Sequence, residues 1–246
     1  MEKEQVSFNE VINNIQGSLS KKKFYKADLE KLTGATLYKG QCMYVLNYVD
    51  QIVSFQKGVK EMLGYSEQEY TFDFVLNNYH PDDINVAQRV LSAALLYNVE
   101  NKINRKDTLL KLCYRLRKKN GDYIKVLRTS TTLEINTEGN LVSNISTLTD
   151  ISFLNMGNKV VWDFDSIGLN KAKFRKYITK SFASYFSERQ VEIIRLMAQG
   201  HSSSDISKIL SISKHTVDTH RRVLLQKSNS QNTIELLNFC AHNGVI

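Results

Sequence analysis

The stretch that most narrows what this 246-residue chain can fold into is its last quarter, residues 187–246. There the start and stop signals of four short helices follow one another with no room for a strand. Ser187 with Gln190 three residues on is a capping box, in which each side chain satisfies a backbone N–H that the helix leaves free. Gly200 is placed to end that helix in the left-handed conformation. Val191, Ile194, Met197 and Ala198 recur at helical spacing and predict its buried stripe. Ser202 with Asp205 opens a second helix, with Ile206, Ile209 and Leu210 expected toward the core. Ile212 and Ser213 make the turn, and Ser213 caps a third helix over about Lys214–Gln226. Asn232 with Glu235 opens a fourth.

Positions on the third helix advance by about 100° per residue. Val217 and Leu224 then point one way, flanked by His220 and Arg221, and this side is expected to pack. His215, Thr219, Arg222 and Gln226 fall opposite, with Asp218 near the edge: a face of donors and acceptors with almost no carbon, suited to base edges in a major groove. Arg222 can fork onto a guanine, and Thr219 can meet a thymine methyl. Asp218 has two roles open, accepting from a cytosine amino group or pairing with Arg222 four residues on. The pair needs no ligand and is the expected one. The serines Ser202, Ser203 and Ser204 sit at a helix N-terminus, where hydroxyls and backbone N–H groups can meet a phosphate. Two short helices joined by a tight turn, the second polar outside, are the parts of a helix-turn-helix.

The pattern Gly200, Asp205-Ile206, Leu210, Ile212-Ser213, Thr216-Val217, His220 and Lys227 resembles the LuxR/FixJ/NarL-type DNA-binding domain of bacterial transcription regulators. The resemblance covers about sixty residues. It implies that the third helix enters the major groove and that the fourth forms a dimer contact. It also implies base contacts from Asp218, Thr219 and Arg222, and phosphate contacts from Lys214, Thr216, His220 and Lys227, alongside Ser202, Ser203 and the cap Ser213. Gln190 stands where the family has Glu, and Ser228 and Ser230 stand where it has apolar residues; the two serines are expected to loosen the turn before the fourth helix. A metal held by His201, His215 and His220 is not expected, because His215 and His220 are five residues apart and so do not share the i,i+4 face of a zinc helix.

Charge supports a polyanionic partner. The net +8 is uneven: residues 42–150 carry thirteen charges of each sign, whereas residues 151–180 carry six basic and two acidic side chains. A basic approach to a helix-turn-helix favours nucleic acid, although the helical region itself is only modestly positive. No apolar run reaches the ~20 residues needed to span a membrane, and the polar, acidic N-terminus is unlike a secretory signal. Cys42, Cys113 and Cys240 show no CxxC spacing. A cytoplasmic protein without disulfides is expected.

Residues 1–41 read as a helical segment, with Phe8, Val11, Ile12, Ile15 and Leu19, then Phe24, Leu29 and Leu32, as its apolar positions. Lys21–Lys23 reads as a solvated face. From Cys42 the pattern turns to strands. Tyr44-Val45-Leu46 and Ile52–Phe55 bracket a turn at Val49-Asp50-Gln51. A helix through Val59, Met62 and Leu63 closes at Gly64, and Ser66 with Glu69 is expected to cap another. Pro81 opens a long helix through Val86, Val90, Leu91, Ala94 and Leu95. Leu110, Leu112, Tyr114 and Leu116 alternate along a strand, Asn120-Gly121 makes a tight hairpin into Tyr123–Leu133, and Asn136–Asn140 turns again into Leu141–Ile151.

This order of elements, with Leu63-Gly64-Tyr65, His80-Pro81-Asp82-Asp83 and the Asn-Gly hairpin, resembles a PAS domain over about residues 42–152. The resemblance implies a sensory or dimerising module whose cavity lies between sheet and helices. The Asn-Cys-Arg-Phe-Leu-Gln motif of flavin-binding relatives is absent. His80, the one histidine there, fits a turn better than a haem ligand, and Cys113 is expected as a buried small hydrophobe. No cofactor is nominated, and a small-molecule ligand stays open. His80, Asp82 and Asp83 can in principle serve as acid, base or metal ligand. Yet they precede a helix, where Asp is favoured anyway, and no nucleophile elbow or phosphate loop accompanies them. Residues 153–186 form a connection, with a strand at Val160–Phe164 and a basic helix over Lys171–Phe182 that carries Phe174, Ile178 and Phe182 on one face.

The expected fold is α+β: a PAS-like antiparallel sheet with helices, then an all-α four-helix LuxR-type helix-turn-helix domain over 187–246. The expected function is a non-catalytic, homodimeric regulator that binds double-stranded DNA. The alternative is an interaction module whose helices bind a protein partner. The apolar Leu236, Phe239 and Cys240 are expected to point away from the helical core toward a partner subunit.

Overall fold

The computed structural model describes residues 8–15, 29–101, 108–154 and 157–246. They fall into two compact units that divide between Phe174 and Arg175. Among the described residues no helix is long and apolar enough to cross a membrane.

The first unit is a six-stranded antiparallel sheet with helices. Its strands are β1 (Gln41–Asn47), β2 (Ile52–Lys57), β3 (Leu109–Arg117), β4 (Tyr123–Ile135), β5 (Leu141–Asp150) and β6 (Val161–Asp165), in the order β2-β1-β5-β4-β3-β6. The alternation foreseen on β3 holds: Leu110, Leu112, Tyr114 and Leu116 are buried, and the residues between them are not. Their faces match across the pairings Leu112↔Arg128 and Leu110↔Ser130. The strand expected near residue 160 completes the sheet, with Phe164 opposite Leu110 and Trp162 opposite Leu112. Cys113 alternates to the other face and is only partly covered, not the buried hydrophobe expected.

Helices α1 (Phe8–Ile15), α2 (Glu30–Thr33), α3 (Val59–Leu63), α4 (Phe72–Asn77) and α5 (Pro81–Asn101) complete this unit. Phe8, Val11, Ile12 and Ile15 are all buried, as their spacing predicts. Leu29 and Leu32 are only partly covered around the four-residue α2. Leu19, Phe24 and Lys21–Lys23 lie outside the described residues. Pro81 opens α5, which buries Val86, Val90, Leu91, Ala94 and Leu95. Ser66 and Glu69 bond to each other as a cap would, at 2.8 Å, but no helix follows. Glu69 is drawn onto Lys119 at 2.7 Å, and the next helix starts later, capped by Thr71.

Gly58 joins β2 to α3 with φ +76°, and a Cβ there would lie 2.8 Å from the carbonyl oxygen of Gln41. Gly121, at φ +95° in the β3–β4 hairpin, has open space around it. Gly58→Ala is expected to cost about 2 kcal/mol in urea unfolding, from left-handed strain plus the clash. Gly121→Ala should cost about half that, from strain alone.

Helix α6 (Lys171–Phe182) begins in the first unit, where Phe174 packs against Tyr97, Trp162 and Phe164. In the second unit Phe182 meets Tyr185 and Phe239, and the Arg175 Nη2 donates to the Ala241 carbonyl at 2.7 Å. There follow α7 (Glu188–Ala198), α8 (Ser203–Ile209), α9 (Lys214–Lys227) and α10 (Thr233–His242). The capping boxes at Ser187/Gln190 and Ser202/Asp205 form as expected.

In the second unit, side-chain placements differ from the sequence reading at four points along the chain. On α7 the buried side is Ile193, Ile194 and Met197, with Ala198 exposed, because α9 and α10 both pack on α7 and centre its stripe at 193–197. On the two-turn α8 only Ile206 is buried; Ile209 is 51% exposed and Leu210 partly covered. Ser228 and Ser230 do not loosen the turn after α9. Both are buried, and the Ser228 hydroxyl reaches the Leu224 carbonyl (2.8 Å) and the Ser230 hydroxyl (2.9 Å), replacing apolar packing with a satisfied polar knot. Finally, Leu236 and Cys240 are fully buried and Phe239 is partly covered, stacked among Phe182, Tyr185 and Phe186. The large apolar residue that α10 exposes is instead Ile234, at 72%.

Candidate nucleic-acid interface

The site is built on α9. Ser213 caps it by accepting from the Thr216 N–H at 3.0 Å, and its hydroxyl also meets that of Thr216 at 2.8 Å. Val217 and Leu224 are fully buried and fix the rotation of the helix. Opposite them His215, Asp218, Arg222 and Gln226 are exposed and Thr219 is partly covered. None of these five engages another described residue through its side chain. Asp218 and Arg222 in particular do not form the expected i,i+4 pair. Leaving both groups to water keeps them available to a ligand. The face carries one more apolar group than foreseen, since Val223 is 37% exposed beside Thr219 and Arg222.

The surrounding positions are anchored more firmly. Arg221 turns its Nη2 to the Thr233 hydroxyl at 3.1 Å and so ties α9 to the start of α10. Arg189 does the same for the turn before α9, donating to the Leu210 carbonyl at 2.9 Å. Lys214 and Thr216 stand exposed on the first turn of α9, and His220 is partly covered. Ser203 begins α8. The Ser202 hydroxyl is already engaged, donating to Asp205 at 2.6 Å, and these Ser202 bonds hold the Asp205 carboxyl below its usual range. Lys227 extends its ammonium over the rings of Tyr185 and Phe186, 5.4 and 5.7 Å from their centres. This aromatic seat was missed in the sequence, where Tyr185-Phe186 read only as the end of a connection.

In the first unit, His80, Asp82 and Asp83 close around Arg115. Asp83 is 1% exposed and accepts from the Arg115 backbone N–H (2.7 Å), Nε (3.1 Å) and Nη2 (2.5 Å). Asp82 and the His80 ring stand 3.4 Å from the same guanidinium. The trio is a clamp joining α5 to β3, with its acidic groups committed to a cation. Among the described residues no group of three or more His, Cys, Asp or Glu is placed to hold a metal. Between the inner face of the sheet and α5 lies a cavity of about 50 Å³, whose lining includes Leu91, Asn98, Leu110, Ser130, Thr132 and Asn144.

Comparison with known proteins agrees with this geometry. Residues 184–240 match the family described as bacterial regulatory proteins, luxR family, and residues 52–148 match the PAS fold. The transcriptional regulatory protein YxjL of Bacillus subtilis is 34% identical over 67 residues, 27% of this chain and 31% of that protein. The Escherichia coli regulatory protein SdiA is 39% identical over 61 residues, 25% of each. This chain therefore spans about a quarter to a third of the length of these relatives. A Vibrio cholerae VqmA dimer solved in the absence of target DNA aligns over 90% of this chain and 89% of that one, at 13% identity and a TM-score of 0.33. Such a likeness is too slight to add to the strand order and helix spans above. The chain carries a helix-turn-helix domain of the luxR family of bacterial regulatory proteins, preceded by a PAS fold.

Proposed function

We propose that this chain is a bacterial transcription regulator, cytoplasmic and non-catalytic, that binds operator DNA as a homodimer. The observation that carries the reading is the outward face of α9. Two fully buried anchors hold His215, Asp218, Arg222 and Gln226 exposed and turned away from the other described residues, on a domain of the luxR family. Asp218, Thr219 and Arg222 read bases. Ser202, Ser203, Ser213, Lys214, Thr216, His220 and Lys227 set the register on phosphates. The functional parts are an N-terminal segment over 1–41, a sensory domain over 42–152, a connection over 153–186 whose β6 completes the sensory sheet, and the DNA-binding domain over 187–246. The sensory domain takes a small molecule in its cavity. His80, Asp82 and Asp83 serve structure, since all three are gathered on Arg115.

A fluorescence titration of DNA at several salt concentrations tests this. About three cationic contacts per subunit and two subunits neutralise about six phosphates, which gives a slope near −5 in log K against log salt and about a 10³-fold loss of affinity between 50 and 200 mM. A second reading, a helical domain that docks on a protein, is favoured by the exposed Ile209, Val223 and Ile234. It predicts no steep dependence on salt.

A further inference from the structure

The middle of the first unit holds a cation that no described residue neutralises. Arg128 lies on β4 and is 1% exposed. A guanidinium stays charged at any pH at which a protein folds, and burying such a charge without a partner is costly. The Arg128 Nε donates to the hydroxyls of Ser130 (2.8 Å) and Ser146 (3.2 Å), and its Cζ stands 5.6 Å from the centre of the Tyr44 ring. No carboxylate among the described residues pairs with it, and its Nη1 has no partner among them. The hydroxyls of Tyr44 and Tyr79 are buried close to Ser146 and to Arg128, respectively, but meet neither in good hydrogen-bond geometry. Burial pushes the Tyr48 hydroxyl up to about 12 and raises those of Tyr44, Tyr79 and Tyr114. The tyrosines near the guanidinium therefore stay neutral, and none acts as a counter-ion.

The cavity lies one side chain away from this charge: Arg128 does not line it, but the Ser130 hydroxyl that accepts from its Nε does. Ser130, two residues along β4 on the same face, lines it, and so does Tyr48. Asn98 and Asn144 line it too, each with a buried side-chain oxygen that no described residue meets. A volume of about 50 Å³ is room for about three to five water-sized groups at about 10–15 Å³ each. Water can satisfy the hydrogen bonds of such a site but not its charge.

We propose that the cavity receives a small organic anion, a short-chain carboxylate, as the missing counter-ion of Arg128. The carboxylate accepts from the Ser130 hydroxyl at the cavity wall, and the guanidinium bound to the other side of that hydroxyl balances its charge across it. Asn98 and Asn144 meet a polar substituent, and Leu91 and Leu110 cover the short carbon chain. This rests on the reading of the first unit as a sensor and names the class of signal it takes.

The test uses the full chain, with lactate and pyruvate as probes and lactamide as the neutral counterpart of lactate, in calorimetric titration and thermal melting. The acids are expected to bind at least tenfold more tightly than the amide and to raise Tm saturably. Arg128→Met removes the uncompensated charge at similar length. It is expected to melt no lower than the unliganded parent and to lose the preference for acid over amide. Arg128→Lys keeps the charge and should keep the preference, so it decides the matter alongside the parent if the Met variant does not fold. Equal binding of lactate and lactamide, or binding of neither, overturns the proposal. Capture of DNA by the same preparation separates the outcomes. A chain that binds DNA yet ignores the acids loses only this inference, whereas one that binds no DNA with or without them loses the regulator reading.

Discussion

Arg222→Ala is expected to abolish selective DNA capture while leaving the fold intact. Arg222 is exposed on α9 and bonds to no other described residue, so truncating it leaves internal packing untouched and costs folding stability less than about 0.5 kcal/mol. Against DNA its loss is different in kind. A guanidinium forked onto a guanine contributes about 1–3 kcal/mol of discrimination per helix, a factor of about 10–100. A homodimer loses that twice on a two-fold site. Selection of genomic fragments by the purified protein should return a two-fold-symmetric sequence with the parent and only weak, sequence-blind binding with the variant. Lys214→Ala is the informative companion. Removing an ammonium that rests on a phosphate lowers affinity evenly across sequences and reduces the salt slope by about one per site, without changing the preferred sequence. If Arg222→Ala and Lys214→Ala behave alike, Arg222 is positioning the helix rather than reading a base.

Much of this site was legible because its signals are local. A cap and its partner lie three residues apart, so Ser187/Gln190 and Ser202/Asp205 are readable directly, as is Ser213 as a cap, and all three caps form. The face of α9 follows from its own periodicity once Val217 and Leu224 are taken as anchors. Legibility failed wherever the deciding partner is distant in sequence. Periodicity alone points Leu236 and Cys240 to an outer face, because α10 can be phased from sequence only against the helices of its own domain. The aromatic group of Phe182, Tyr185 and Phe186, some fifty residues earlier, packs against Phe239 of the same helix. The i,i+4 rule brought Asp218 and Arg222 within reach of each other. Reach alone does not form a pair, because two solvated charges gain little by giving up water.

The same limit explains the first unit. Alternation on β3 and the Pro81 start of α5 were readable. Arg128, by contrast, looks like an ordinary charged residue in a strand, and only the register that sets it opposite Leu112 and Leu148 shows it facing inward. Ser66/Glu69 is the opposite error. The local signal is genuine and its bonds are made, yet Glu69 is committed to Lys119, fifty residues on, and the chain turns instead of coiling.

Asp83→Ala is expected to destabilise the first unit strongly, and comparison with Asp82→Ala isolates the reason. Both aspartates lie in the first turn of α5, where each gains similarly from the positive end of the helix dipole. They differ in surroundings. Asp82 is 61% exposed and stands 3.4 Å from Arg115, so its loss should cost less than about 1 kcal/mol. Asp83 has a buried carboxylate that accepts three bonds from Arg115, one of them from the backbone N–H of β3. Removing it strands a guanidinium that is itself only 12% exposed and frees a strand donor, a change of about 3–5 kcal/mol for a buried pair. Partial access of Arg115 to water places the expected cost near the lower end, about 3 kcal/mol. For a unit of this size that lowers Tm by roughly 6–12 °C, read on its own transition because the chain has two units. Asp83→Asn sharpens the comparison, since an amide keeps the shape and one acceptor but not the charge, and should fall between the two. Equal losses for Asp82→Ala and Asp83→Ala would mean that the dipole, not the clamp, sets the value of this turn.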